Sequence, residues 1–147
     1  MDELDEFCVS VQYDMDKQVE KQYGKEVLEV WQNLKYFNTL EKGDGEGKVT
    51  GSCRDTVEIF IKVEGDKIVD ISYWTDGCVA TAVCGCVVCE LALGMSLEDA
   101  EKISGEDVLS RFPKMPDNHK HCAYLAANTL HEAIGDYYKR QSKKQAN

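Results

Sequence analysis

The sequence predicts a single α+β domain in which a three-stranded antiparallel sheet packs against about four to five helices. Residues 49–75 alternate apolar and polar side chains with the period of two that is typical of strands. Before and after this region, apolar residues recur every three or four positions, which is typical of helices. The chain has 147 residues, 43% of them hydrophobic, and this size suits one compact core.

The first predicted element is an amphipathic helix over 17–37. Its apolar residues share one face: Val19, Tyr23, Val27, Val30, Trp31 and Leu34. We expect residues 1–16 to form a flexible amino-terminal segment, so that the domain itself spans 17–139.

Three strands follow, at 48–53, 56–64 and 67–75. The alternating glycines and acids of residues 42–47 predict a turn into the first strand. Gly65-Asp66, between the second and third strands, is a strong signal for a hairpin. The simplest arrangement of the three is an antiparallel sheet.

Residues 79–93 are apolar almost all round, which is typical of a helix buried in the core. Ser96 and Ser104 each precede an acid by three residues, so each predicts the start of a short capped helix. The only two prolines fall within 112–120 and exclude a regular helix there.

The final helix is predicted over 121–139. Its apolar face contains Cys122, Leu125, Ala126, Thr129, Leu130, Ala133, Ile134 and Tyr137. The polar residues 140–147 predict a flexible tail.

The charge of the chain excludes some functions. A formal net charge of -10 argues against a sequence-independent nucleic-acid surface, which needs clustered Lys and Arg, and favours basic proteins or metal cations as partners. The acidic residues 1–6 do not match a secretory signal, so we expect a cytoplasmic protein. The longest apolar run, 77–89, is too short to span a bilayer, so we expect no membrane segment.

The chain has seven cysteines. In an intracellular protein this favours reduced thiols over a disulfide framework, and an odd number leaves at least one thiol unpaired. Metal or redox chemistry is therefore the leading use for some of them.

Three of the cysteines lie where predicted elements begin or end. Cys53 falls between two strands, Cys78 begins the buried helix and Cys122 begins the last one. Free N–H groups and the helix dipole at a helix start favour a thiolate, which is the form that binds iron or accepts sulfur.

Two further donors adjoin these cysteines. Asp55 lies two residues after Cys53, so that both side chains project to the same side of an extended segment, and His121 precedes Cys122. Thiolates with one carboxylate select an iron-sulfur cluster or zinc, and the carboxylate binds less firmly than a fourth cysteine would. The fourth ligand stays open between Asp55, His121 and a cysteine of a partner protein.

Residues 51–55, 76–78 and 121–123 together resemble the three ligand segments of the U-type iron-sulfur cluster assembly scaffolds, the IscU and NifU amino-terminal family. The resemblance covers about 23–138. It implies a scaffold, not an enzyme, that receives sulfur from a cysteine desulfurase and iron from an iron donor. Such a scaffold assembles a [2Fe-2S] cluster and delivers it to apo iron-sulfur acceptor proteins. In that family the aspartate at the position of Asp55 favours a labile cluster.

The chain departs from the family pattern at three places, one of which is the set of Cys84, Cys86 and Cys89 in a helix where small residues are more usual. Arg54 stands where the family usually has glycine, and arginine disfavours the positive φ that glycine permits. Residues 115–122 keep only Pro116 and the final His-Cys pair of the usual motif, with His119 in place of a lysine. A dedicated Hsp70-type chaperone that reads this motif is therefore a doubtful partner, and a contact of His119 with metal is a secondary hypothesis.

Other interpretations compete with the scaffold. The same donors fit tetrahedral zinc, so a zinc-binding structural module is the main alternative, and a thiol enzyme or redox switch ranks last. Cys84, Cys86 and Cys89 are interpreted as small core residues rather than a second site. His131 is predicted to be solvated. The oligomeric state stays open, with a homodimer as one option.

Overall fold

The computed structural model describes residues 2–145. Within that range it contains three strands and six α-helices. In chain order these are α1 (Glu3–Tyr23), α2 (Lys25–Gln32), β1 (Gly45–Thr50), β2 (Thr56–Glu64), β3 (Lys67–Thr75), α3 (Val79–Ala92), α4 (Leu97–Ala100), α5 (Gly105–Leu109) and α6 (His121–Gln145). A short 3-10 turn, Asp117–His119, precedes α6.

The strands form one antiparallel sheet in the order β1-β2-β3. Gly65 and Asp66 join β2 to β3 with φ of +56° and +60°, the pair of left-handed residues that a tight hairpin turn requires. The predicted α+β fold class is confirmed. The bounds predicted for β2 and β3 are also confirmed, whereas β1 spans Gly45–Thr50 rather than 48–53.

Helices α3 and α6 pack against each other and against the sheet. The side chains of β2 that face them, Val57, Ile59 and Ile61, are fully buried. Helix α3 is buried along nearly its whole length, as its all-round apolar sequence predicts. This core places the first turns of α3 and α6 at the same end of the molecule, where the candidate site lies. No helix within residues 2–145 is both long and apolar enough to cross a membrane.

Strand β1 lies directly against the backbone of α6. A Cβ atom on Gly47 would lie 2.5 Å from the carbonyl oxygen of Thr129 and 2.6 Å from the backbone nitrogen of Ala133. A Cβ on Gly45 would collide with the carbonyl oxygen of Ala133. Only glycine permits a strand to approach a helix this closely. Gly45 and Gly47, predicted to form a turn, are therefore also needed for the packing of β1 against α6.

The amino-terminal prediction is wrong in two respects. The helix begins at Glu3 rather than near residue 17, because Asp2 caps it: the Asp2 carboxylate accepts a hydrogen bond of 2.9 Å from the backbone N–H of Asp5. The helix also breaks at Gly24, whose φ of +95° no helix can contain, so that α1 and α2 are separate. This division makes the number of helices six, one more than the upper bound predicted from sequence.

The predicted end of the final helix is also wrong. Helix α6 continues past residue 139 to Gln145, so most of the predicted tail is helical. The side chain of Arg140 explains part of this extension, because its guanidinium contacts Glu46 at 3.1 Å and Asp136 at 3.0 Å. Residue 1 of the predicted amino-terminal segment and residues 146–147 of the predicted tail lie outside the described residues.

Candidate metal centre

Cys78 caps the amino terminus of α3. Strand β3 ends at Thr75 and two residues connect it to this cap, so that the Cys78 side chain is exposed at the end of the core. The backbone N–H groups of Ala80 and Thr81 both lower its pKa. A helix start stabilises negative charge in this way, as predicted for this position.

Cys122 lies in the first turn of α6 and is buried, with 1% of its surface exposed. The hydrogen bond between Cys122 and Cys78 is the largest influence on both sulfurs. Together with the backbone N–H groups at the start of α3, and against the cost of burial, it lowers the pKa of Cys78 to about 4. The same hydrogen bond and burial raise the pKa of Cys122. The exposed sulfur of Cys78 therefore favours the thiolate form, and the buried sulfur of Cys122 favours the protonated thiol.

His119 completes a three-donor group with these cysteines. Among residues 2–145, the ligand atoms of Cys78, His119 and Cys122 all lie within 4.8 Å of one another. His119 ends the 3-10 turn before α6, and its ring meets the edge of the Tyr23 ring with 5.4 Å between centroids. Burial raises the pKa of Tyr23, and the nearby sulfurs of Cys78 and Cys122 raise it further. The carboxyl end of α1 therefore packs beside the donor group.

Asp55 does not belong to the three-donor group, but the side chain of Thr81 contacts both Asp55 and one sulfur of the group. The hydroxyl of Thr81, in the first turn of α3, lies 2.7 Å from Asp55 Oδ2 and 3.3 Å from Cys122 Sγ. Thr81 is fully buried. A Cβ on Gly77 would lie 2.7 Å from Asp55 Oδ2, so the carboxylate packs closely against the backbone of Gly77.

Cys53 lies on the loop between β1 and β2, and its side chain is exposed. Its sulfur is outside the three-donor group found among the described residues. Two backbone hydrogen bonds close the loop, from Gly51 N–H to the Asp55 carbonyl at 2.9 Å and from Arg54 N–H to the Gly51 carbonyl at 3.0 Å. Arg54 has a φ of +71°, so this arginine adopts the left-handed conformation that its side chain disfavours.

His121 lies beside the group without belonging to it. Its Nε2 atom is 3.7 Å from the sulfur of Cys122, and its side chain is half-buried. Of the five ligand candidates chosen from sequence, the structure therefore brings Cys78 and Cys122 together. Asp55 and His121 lie at the edge of the group, and Cys53 lies apart from it. His119, the secondary hypothesis, is the third donor.

Sequence reasoning missed two residues of this region. Thr81 lies within the predicted buried helix, where its hydroxyl has no assigned role. Its position three residues after Cys78, at the start of that helix, is a signal that the hydroxyl lies near the sulfur. Tyr23 was interpreted as part of an apolar stripe. Its contact with His119 depends on how α1 packs, for which the sequence carries no local signal.

The remaining cysteines of α3 are core residues, as predicted. Cys84, Cys86 and Cys89 are all buried. Burial raises the pKa of Cys84 to about 12 and raises the pKa of Cys89 and Cys86 as well. Their thiols are therefore protonated and far less reactive than Cys78. His131, predicted to be solvated, is half-buried, and its Nε2 donates a 2.8 Å hydrogen bond to the carbonyl of Ile103.

A family model described as the NifU-like N terminal domain matches residues 22–144. The chain belongs to this family. The match begins inside α1, so most of that helix precedes the NifU-like domain.

Named relatives agree with this assignment, and a solved structure shares the fold. An iron-sulfur cluster assembly scaffold protein IscU of Archaeoglobus fulgidus is 34% identical over 122 residues, which are 82% of this chain and 80% of the relative. A Drosophila melanogaster protein named iron-sulfur cluster assembly enzyme IscU is 32% identical, covering 85% of this chain and 84% of that protein. The crystal structure of a NifU-like protein from Brucella abortus superimposes with a TM-score of 0.68 at 14% identity, over 82% of this chain and 97% of that one, and shows the shared fold.

Proposed function

We propose that this NifU-like protein is a scaffold that assembles a labile [2Fe-2S] cluster and transfers it to apo-proteins. The observation that carries the proposal is the group of two sulfurs and one imidazole within 4.8 Å of one another at the open end of the core. Thiolate sulfur is the donor that iron-sulfur clusters require, and imidazole also binds iron. The names of the scaffold relatives support the same role.

The proposed ligand set combines the five donors predicted from the sequence with His119, which the structure places beside two of them. Cys78, Cys122 and His119 form the part already assembled, and Cys53, Asp55 and His121 surround it. Because Cys53 is exposed on a five-residue loop, only a local movement of that loop is needed to bring a third sulfur to the cluster. The exposed thiolate of Cys78 is the donor that incoming iron or sulfur meets first.

The cluster in this proposal is cargo and not a resident cofactor. The protein is then a carrier, not an enzyme, and its partners are a cysteine desulfurase, an iron donor and apo iron-sulfur acceptors. The net charge of -10 favours partners with basic docking surfaces. The cytoplasmic location expected from the sequence stays a prediction.

Anaerobic reconstitution tests the proposal. The purified apoprotein, mixed with ferric iron and sulfide, should give a visible chromophore with about two irons and two sulfides per cluster, since two ferric ions and two sulfides form the oxidised cluster without a further electron acceptor. An apo-ferredoxin should then acquire that chromophore. A colourless product with intact thiols, or a chromophore that no acceptor can take, contradicts the scaffold.

Histidine variants test the ligand set within the same experiment. His119→Ala should weaken binding of the cluster by at least about tenfold, since even outer partners of a metal site are worth this much. His131→Ala is the matched control, because His131 is hydrogen bonded to Ile103 and lies outside the donor group. An unchanged cluster in His119→Ala together with a loss in His121→Ala would return the nitrogen ligand to His121.

Structural zinc makes a different prediction. A structural zinc ion is part of the folding free energy, so that a chelator should unfold the protein. Here the buried core of the sheet, α3 and α6 is continuous without any metal, and one of the three donors, Cys78, is exposed. We therefore expect the melting temperature to change little when a chelator empties the site. Unfolding on chelation would favour the zinc module.

A further inference from the structure

The hydroxyl of Thr81 lies close to three of the proposed ligands. It is 2.7 Å from Asp55 Oδ2, 3.3 Å from Cys122 Sγ and 3.8 Å from Cys78 Sγ. Thr81 is fully buried, so no solvent competes for this hydroxyl. The side chain is fixed in place because it belongs to the first turn of α3, whose amino terminus Cys78 caps.

A threonine hydroxyl has one proton and can donate only one hydrogen bond at a time. A carboxylate can only accept, and at 2.7 Å its bond with the hydroxyl is the shortest that Thr81 makes. Bonds to a charged acceptor are also roughly twice as strong as neutral ones. The proton of Thr81 is therefore directed to Asp55, and the sulfur of Cys122 receives it only when Asp55 gives it up.

This bond fixes Asp55 outside the donor group. No oxygen of Asp55 joins the set of ligand atoms, found among residues 2–145, that lie within 4.8 Å of one another. On its other side the carboxylate packs against Gly77, where a Cβ atom would lie only 2.7 Å from Oδ2. Asp55 must therefore move to reach a metal, and it can bind one through Oδ2 only by giving up its bond with Thr81.

We propose that Thr81 is a positioning residue that holds the Asp55 carboxylate away from the metal, so that Asp55 becomes a ligand only by giving up the Thr81 hydrogen bond. The inference rests on the proposed function, in which Asp55 is the exchangeable ligand. Competition from Thr81 weakens the net binding of Asp55 and makes its departure easier. When Asp55 binds the metal, the freed hydroxyl donates to Cys122 instead.

A double-mutant cycle with cobalt(II) measures this competition. Cobalt(II) is titrated into the anaerobic apoprotein, and its affinity is read from the thiolate-to-cobalt charge-transfer absorption. The proteins are the wild type, Thr81→Val, Asp55→Asn and the double variant. The loss of affinity on Asp55→Asn is compared with and without the Thr81 hydroxyl, and this ratio cancels every effect of Thr81 on the sulfurs that does not depend on Asp55.

We expect Asp55→Asn to cost about tenfold more affinity in the Thr81→Val background than in the wild type. Tenfold corresponds to about 1.4 kcal/mol, the low end for a hydrogen bond to a charged group. Thr81→Ser retains the hydroxyl and should behave as the wild type does. Far-UV circular dichroism checks the fold of each variant. If Thr81→Val does not fold, Thr81→Ala against Thr81→Ser gives the same comparison, since these two differ by one hydroxyl.

Equal losses in the two backgrounds overturn the inference, because Thr81 would then act through packing alone. The inference also falls if Asp55→Asn changes cobalt affinity in neither background, since Asp55 would not be a ligand. Reconstitution of the wild-type cluster is scored separately. A wild type that forms and transfers its cluster but shows no coupling refutes only the role of Thr81. A wild type that shows the coupling but forms no cluster refutes the scaffold.

Discussion

Replacement of Gly77 by alanine tests the packing of the site directly. A Cβ atom at this position would lie 2.7 Å from Asp55 Oδ2, 2.9 Å from Asp55 Cγ and 2.8 Å from Thr81 Cβ. All three distances are well inside van der Waals contact. Gly77 is not among the glycines with positive φ, so alanine is compatible with the backbone and the effect is one of packing.

Overpacking of this kind costs about 1–3 kcal/mol of unfolding free energy. For a domain near 150 residues, about 2–4 °C of melting temperature accompany each kcal/mol, so Gly77→Ala should lower the melting temperature by roughly 2–12 °C. Two of the three close contacts are with Asp55. In an Asp55→Ala background Gly77→Ala should therefore cost less, and the residual cost comes from Thr81.

Thermal and urea unfolding of the apoprotein measure both effects. The matched control is Gly135→Ala, because Gly135 is exposed on α6 and a Cβ there would meet nothing within 4 Å. Alanine is the better helix former, so this control should raise the unfolding free energy by about 0.5–1 kcal/mol. The reasoning fails if Gly77→Ala is as stable as the wild type, or if its cost is the same with and without the Asp55 carboxylate.

Two further predictions follow from the backbone and from the sulfur pair. Arg54→Gly should raise the unfolding free energy by about 1 kcal/mol, because glycine accepts the positive φ at no cost. Asp66→Gly should raise the unfolding free energy by less, since aspartate tolerates that conformation better than arginine does. No gain in urea unfolding would contradict the assigned loop conformation. With its pKa lowered to about 4, Cys78 of the apoprotein stays a thiolate, so its alkylation rate should be nearly constant between about pH 6 and pH 8. Cys122→Ala removes the main cause of the lowered pKa of Cys78, so the alkylation rate, followed by mass spectrometry, should then rise with pH. A steep rise already in the wild type would refute the lowered pKa of Cys78.

The sheet could be predicted from sequence because its signals are local. The alternation along β2 and β3 and the turn residues Gly65-Asp66 all act within a few positions. Helix α1 was predicted too short because only its last turns bury an apolar face, whereas its first turns depend on the Asp2 cap and on helix propensity. Residues 2–15 are exposed in the structure, so none of them packs on the core, and the predicted apolar face begins only at Val19.

Part of the candidate site could also be predicted because its signals are local. Cys78 and Cys122 could be chosen because each begins a helix, which the sequence shows. The choice of His119 over His121 as the third donor depends on the 3-10 turn before α6 and on the orientation of that turn toward α3. The bond between Thr81 and Asp55 joins residues 26 positions apart, and no periodicity reports such a contact.

The contact of the two β1 glycines with α6 determines which parts of the molecule can move. Strand β1 leads into the Cys53 loop and α6 carries Cys122, so the base of the loop and the second sulfur belong to one rigid frame. In the proposed scaffold function, the movement that brings the third sulfur to the cluster is then confined to residues 51–55, and the hydrophobic core stays covered while the cluster is bound and released.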